Sequence, residues 1–260
     1  MKNLTVIIPL LEGYDRTNLL KATRTIKDQT MQPATIILAM SNKVDEEENY
    51  NLSIKEVLDE GNIEVSKAVY REGDTPTTAD LINYAVSTVD TKYFMVMEHN
   101  EGLTGKTWFE TIERYISKSY DYSIYLPLTK VINSESQFHH YLNEQWFALG
   151  FTDEELGVVS EEGLKNLYEM NITGGVIDKE DFLEVGGLKN NIPHFYWYEF
   201  AIRMCFNKKG IYVIPKSLYT VPMKNFDGIS REEYQFYYEA AQQEYFFKTQ
   251  RELSFSNDRK

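Results

Sequence analysis

The sequence predicts an α/β protein with a mostly parallel central sheet covered by helices on both faces. Three observations lead there. Strand-like and helix-like segments alternate from Leu4 to Met97. The strand-like segments are continuous apolar runs, as strands buried on both faces require. Polar residues able to do chemistry follow directly after those strands, where open α/β sheets place ligands. At 260 residues and 42% hydrophobic content the chain has material for one large domain, or one domain with an appended subdomain.

The first strand is Leu4 to Leu10, closed by Pro9 and Gly13. Leu19, Leu20, Ala22, Thr23 and Ile26 follow helical spacing, and Pro33 separates that helix from a second strand over Ala34 to Ala39. Acids crowd the stretch from Val44 to Tyr50, the pattern of a solvated segment. A helix over Ile54 to Glu60, a strand over Ile63 to Tyr70, a helix over Thr78 to Ser87 and a strand over Tyr93 to Met97 complete the alternating part. Sites are then expected at Leu10 to Gly13, Met40 to Lys43, Tyr70 to Thr75 and Glu98 to Gly102.

The remainder is less regular. A helix over Trp108 to Ser117 and one or two strands between Tyr122 and Ile132 lead into an aromatic stretch from Asn133 to Phe151. Thr152 to Glu155 has capping-box spacing and predicts a helix toward Met170. A strand over Asn171 to Ile177, a helix over Lys179 to Val185 stopped by Gly186-Gly187, a helix over Tyr196 to Lys208 and a strand over Ile211 to Ile214 follow. From Ser230 to Leu253, Tyr234, Tyr237, Tyr238, Ala241, Tyr245 and Phe246 form a helical stripe suited to core packing or to a homo-oligomer or larger assembly.

The net charge of −13, with no basic patch, gives no electrostatic support for a nucleic-acid or anionic-membrane partner. No apolar run approaches the roughly 20 residues of a membrane span, and the start lacks a signal-peptide pattern, so a cytoplasmic protein is expected. A single cysteine, Cys205, excludes an internal disulfide and a cysteine metal cluster, and its apolar surroundings place it in the core. Neither a phosphate-binding Gly-x-x-x-x-Gly-Lys loop nor a Gly-x-Ser-x-Gly elbow occurs. Asn171-Ile172-Thr173 is a sequon without consequence in a cytoplasmic chain.

Two clusters carry candidate chemistry. Glu98-His99-Asn100-Glu101 ends the fourth strand with oxygen ligands and one imidazole, a set suited to Mg²⁺ or Mn²⁺ facing a diphosphate. The competing reading is a polar strand cap. Glu199, in the aromatic run from His194, is placed to be a general base, or else to pair with Arg203 one helical turn on. His139 and His140 are adjacent, and neighbours on a strand or helix point different ways, so a shared metal is not expected.

In their order along the chain these segments resemble a family 2 glycosyltransferase of the GT-A fold, over residues 4–222. The resemblance rests on the opening strand Leu4 to Pro9, on Asp28-Gln29-Thr30 before strand two, and on Asn83 to Val86 followed by Lys92-Tyr93-Phe94. It continues with Met97 to Glu101 in place of the Asp-x-Asp motif, Gly174 to Gly187 ending in Val-Gly-Gly, and Tyr198-Glu199 with Arg203 and Gly210 in place of the Glu-Asp segment. It implies a nucleotide-sugar half at 1–103, an acceptor half at 104–222 and a helical extension at 223–260. It further implies inverting transfer from a nucleotide-diphosphate sugar to a carbohydrate, glycolipid or protein hydroxyl. Glu98, His99 and Asn100 would hold Mn²⁺ or Mg²⁺, Glu199 would be the base, and Glu12, Ser41, Asp80 and His99 would contact the nucleotide. The segments Phe138 to Phe151, with Trp146, and Phe195 to Tyr198 would form an acceptor wall. Asn100 replaces a carboxylate and Glu199 an aspartate, which opens a second reading: a module without turnover that binds carbohydrate or builds an assembly such as a virion.

Overall fold

The structure is a computed structural model and describes residues 1–46, 65–71, 75–118, 121–147, 156–166, 170–192, 195–223 and 231–247. The expected helix at 54–60, the capping box at 152–155 and His194 lie outside the described residues, as do most of the acidic stretch at 44–50 and the end of the last helix.

Strands β1 (Leu4–Leu10), β2 (Thr35–Ser41), β3 (Val65–Tyr70) and β4 (Tyr93–Val96) pair in parallel in the order β3-β2-β1-β4. Helices α1 (Arg16–Lys27), α2 (Asn42–Glu46) and α3 (Thr78–Ser87) lie between them in the chain. The order reverses at β1, so the loops after β1 and β4 share the switch-point edge at which such sheets bind ligands. Burial of β1 is complete along its length, and its residues divide between two cores. Ile7 joins one with Ile37, Phe94 and Val96, while Val6, Ile8 and Leu10 join the other with Leu38, Met40 and Met95. This two-sided burial is the physical reason for the unbroken apolar runs in the sequence.

The second half extends the same sheet with mixed direction. It contains β5 (Gly102–Leu103), α4 (Trp108–Ile116), β6 (Ile124–Ile132), β7 (Phe138–Leu142), α5 (Glu161–Asn166), β8 (Val176–Asp178), α6 (Lys179–Glu184), α7 (Tyr196–Phe206) and β9 (Ile211–Pro222). The sheet continues β4-β8-β6-β9-β5, with β7 on β6. β6 and β9 are parallel, whereas β8, β5 and β7 pair antiparallel. Helix α8 (Arg231–Gln242) and the turn Gln243–Phe247 pack on α7: the Tyr238 ring stacks on Tyr198 at 5.6 Å, and Phe246 meets Phe206 at 5.6 Å. In this chain part of the C-terminal aromatic stripe is therefore core.

Several expectations are corrected. The last strand runs to Pro222, not Ile214, because Pro215 and Lys216 bulge out of the ladder and pairing with β6 resumes at Ser217. The aromatic stretch after Asn133 holds strand β7, turned by Asn133, whose side-chain carbonyl accepts from the backbone N–H groups of Glu135 and Gln137. The strand expected over Asn171 to Ile177 shrinks to β8, since residues 172–175 make a turn closed by the Gly175 N–H on the Ile172 carbonyl. Trp146 is fully buried against Gly163, where a Cβ would stand 2.6 Å from the indole, so it belongs to the core and not to an acceptor wall. His139 and His140 bring their Nδ1 atoms within 2.6 Å, because His139 is the residue skipped where the β6–β7 register shifts and side-chain alternation fails there. Cys205 is buried as expected.

Candidate active site

Several of the motifs that carried the resemblance contact distant parts of the chain. Gln29, buried after α1, donates to the Gly105 carbonyl at 2.8 Å and accepts from the Trp108 N–H at 2.9 Å, fixing the start of α4. Asn83 on α3 pins the loop after α6 from both sides, donating to the Leu188 carbonyl at 2.7 Å and accepting from its N–H at 2.8 Å. Gly187 is required beneath it, with φ +69 and a hypothetical Cβ 2.7 Å from the Asn83 amide oxygen. Arg203 donates to the Val185 and Gly187 carbonyls of the same loop.

Glu199 is the centre of this knot. Its carboxylate is fully buried and accepts from Arg203 through Nε at 2.9 Å and through the terminal nitrogen at 2.8 Å. Lys189 approaches to 3.0 Å, and the Tyr245 hydroxyl donates from the C-terminal segment. Burial alone would raise its proton affinity; Arg203, Tyr245 and Lys189 outweigh burial and hold the carboxyl below its ordinary value. A general base needs an oxygen within reach of the acceptor hydroxyl. Here both oxygens are committed inside the protein, so the pairing alternative for Glu199 is the one the geometry displays.

At the carboxyl edge of the sheet, the turn after β4 is closed by the Glu101 N–H on the Glu98 carbonyl. The buried Glu101 carboxylate accepts from the Glu98 N–H at 2.9 Å, from Thr173 at 3.1 Å and from Tyr219 at 2.6 Å. Burial, followed by Glu101, pushes the Tyr219 hydroxyl far up, so it stays a donor. Glu101 thus shapes the turn, while Glu98 and His99 are half-buried at its rim and Asn100 is exposed. The His99 ring meets Tyr14 of the loop after β1 edge-on at 6.1 Å. Burial lowers its proton affinity against the pull of Glu98 and Asp15, which leaves a neutral imidazole at pH 7. Burial pushes the hydroxyl of Tyr196, the first residue of α7, far up, and the charges of Glu98 and Glu101 act in the same direction.

The other expected nucleotide contacts are placed as follows. Glu12 is exposed in the loop that carries Tyr14. Ser41 is buried and accepts from the Val44 N–H at 3.4 Å, capping α2. Asp80 forms a capping box with Thr77 and accepts from Asn190 at 2.8 Å. The edge therefore gathers Glu98 and His99 with Tyr14, while the carboxylate of Asp80 is engaged in a helix cap and that of Glu199 in an ion pair. Tyr14 was missed by the sequence reading, since a lone tyrosine has no pattern that separates it from core. Among the described residues, no three His, Cys, Asp or Glu side chains gather as a metal site. What remains at the rim, one carboxylate and a neutral imidazole, fits the way Mg²⁺ is held by one or two carboxylates plus substrate phosphates, not a cage built by protein alone.

No protein-family model matches the chain, and no curated protein matches it. Solved structures do. The chain is similar to S. aureus TarS residues 1–349 in complex with UDP-GlcNAc, at 12% identity and TM-score 0.63, covering 86% of this chain and 59% of that one. It is likewise similar to the same fragment in complex with UDP, at 14% identity and TM-score 0.63, over 95% of this chain and 67% of that one. The match to S. aureus TarS covers 91% of this chain and 38% of that one, with TM-score 0.60. The chain thus spans about six-tenths of the TarS fragment it matches. Together with the sheet order and its switch-point edge, this likeness gives the chain the fold of the TarS fragment, a mixed α/β sheet of the GT-A type. No described helix is long and apolar enough to cross a membrane.

Proposed function

We propose that the protein binds a nucleotide-diphosphate sugar at the edge formed by the loops after β1 and β4 and transfers the sugar to an acceptor hydroxyl, by inverting displacement. The observation that carries this is the Glu98–His99 rim, which stands at the switch point of a sheet whose fold likeness includes a structure with UDP-GlcNAc bound. Glu98 and His99 would hold Mg²⁺ or Mn²⁺ against the donor, with Asn100 beside them, and the ion would supply neutralisation of the leaving diphosphate. The chain's own contribution is to orient the donor: Glu101 holds the turn, Tyr14 braces His99, and Glu12 and Ser41 lie beside the expected position of the base. Residues 1–222 would be the transferase unit, working in the cytoplasm.

The sealed Glu199 favours a second reading. With that carboxylate committed to Arg203, Lys189 and Tyr245, the same site would bind a nucleotide-sugar without fast transfer, as a binding module of a glycan-handling assembly or a virion. Calorimetric titration with UDP and UDP-GlcNAc, with and without Mn²⁺, on wild type and Glu98→Ala tests the donor site. Metal-dependent binding lost in the variant is expected, and no binding at millimolar nucleotide overturns both readings. UDP release from UDP-GlcNAc in the presence of glycan acceptors then separates transfer from binding alone.

A further inference from the structure

A cavity of about 300 Å³ opens at the end of the sheet opposite the donor edge, between the first residue of β4, the last of β8 and the start of β6. Three rings line it: Tyr93, Tyr122 and Tyr125. Tyr122 is stacked on Tyr212 at 5.2 Å and stands edge-on to Tyr125 at 6.1 Å, which fixes that wall. Asp121, Asp178 and Asp181 bring three carboxylates to the same cavity, and Lys92 brings an ammonium group. Lys209, which does not line the cavity, holds Asp181 at 2.6 Å, and one oxygen of Asp178 caps α6. Even with Lys209 counted, three carboxylates face two ammonium groups, so negative charge is in excess. Lys92 shows how the cavity receives a cation. Its ammonium lies 5.0 Å from the centre of the Tyr93 ring and 3.7 Å from Asp178, on a side chain 60% exposed. Tyr93 first, and then Asp178, raise its proton affinity against burial. The ion pair is long and carried by a flexible stem, so an incoming ammonium ion displaces it at small cost.

We propose that this cavity binds a small organic amine, whose ammonium group takes the place of Lys92 against the Tyr93 ring and the carboxylates of Asp121 and Asp178. Ring faces attract a cation, and carboxylates accept strong hydrogen bonds from its N–H groups; the two together recognise an ammonium ion. A phosphate or carboxylate ligand would be repelled by the aspartates. A neutral polyol would gain ring contact but nothing from the excess charge. Mg²⁺ would gain from the charge, but it sheds its water reluctantly and has no use for rings. The cavity lies at the opposite end of β4 from Glu98, so it is a second site and stands whether or not the donor-site reading holds.

The test is calorimetric titration at low salt with putrescine, with butanediol as its uncharged counterpart and with Mg²⁺ as competitor, on wild type, Asp121→Asn and Lys92→Gln. Both substituted residues are exposed, and melting curves of both variants are expected to match wild type. Putrescine should saturate wild type by about 10 mM, bind Asp121→Asn about twofold to fivefold more weakly, and bind Lys92→Gln tighter by a similar factor, because that change clears the ring and the carboxylate. Butanediol should not bind, and equimolar Mg²⁺ should not displace the diamine. Lack of saturable putrescine binding, equal binding of the diol, displacement by equimolar Mg²⁺, or a variant that leaves the affinity unchanged or moves it the opposite way overturns the proposal.

Discussion

Replacing Glu199 separates a structural carboxylate from a catalytic one. The Glu199→Ala change leaves Arg203, the half-buried Lys189 and Tyr245 around an empty centre. Removing one partner of a buried ion pair costs about 3–5 kcal/mol, because the other charge stays behind uncompensated. For a chain of this size each kcal/mol moves the melting temperature by about 2–4 °C, so a fall on the order of 10 °C is expected. Glu199→Gln keeps the shape but turns an amide N–H toward a guanidinium, and a smaller fall is expected. The carboxyl is held below its ordinary value of 4.5, so the folded state binds fewer protons than the unfolded state as acid is added. Its contribution is present above pH 4.5 and lost as pH falls below that, and Glu199→Gln should flatten this part of the acid limb. Asp80 and Asp181, also held below their ordinary values, keep the rest of the limb in place. The assay is thermal melting by circular dichroism from pH 3 to 8, run beside UDP-GlcNAc titration. If both variants melt within about 1 °C of wild type while turnover collapses, Glu199 faces the acceptor and the structural reasoning is wrong.

Three further outcomes follow from the same contacts. Tyr245→Phe removes a donor to a buried carboxylate and should lower stability by about 1.5–3 kcal/mol in denaturant titration, while no change would mean that the C-terminal segment does not support α7. Gly174→Ala places a Cβ 2.4 Å from the Tyr219 ring at φ +75 and should cost about 1–3 kcal/mol or prevent folding; a wild-type melting curve would contradict that packing. Asn83→Ala strands both backbone groups of Leu188 and should cost about 2 kcal/mol, with faster hydrogen exchange at Leu188 as the local readout.

The sequence alone was enough for the strands of the first half and for the residues that bind backbone. Leu4 to Leu10 must be buried on both sides because every residue in it apart from Thr5 is apolar, and that composition needs no knowledge of neighbours. Gln29, Asn83, Gly187 and Arg203 were legible as spaced motifs because each performs a fixed task on nearby turns or on one recurring loop. Where a contact depends on a partner far along the chain, the sequence is silent. Strand β5 exists only because residues 211–222 pass beside it, and Trp146 is core only because Gly163 leaves room for its ring. The tertiary structure likewise decided the surroundings of the acids. Glu98 and Glu101 look alike in a four-residue cluster, but Tyr219, more than a hundred residues away, takes one of them out of the rim. Glu199 likewise meets Lys189 and Tyr245 only in the folded chain, because the donors that set a carboxylate's chemistry are brought together by folding.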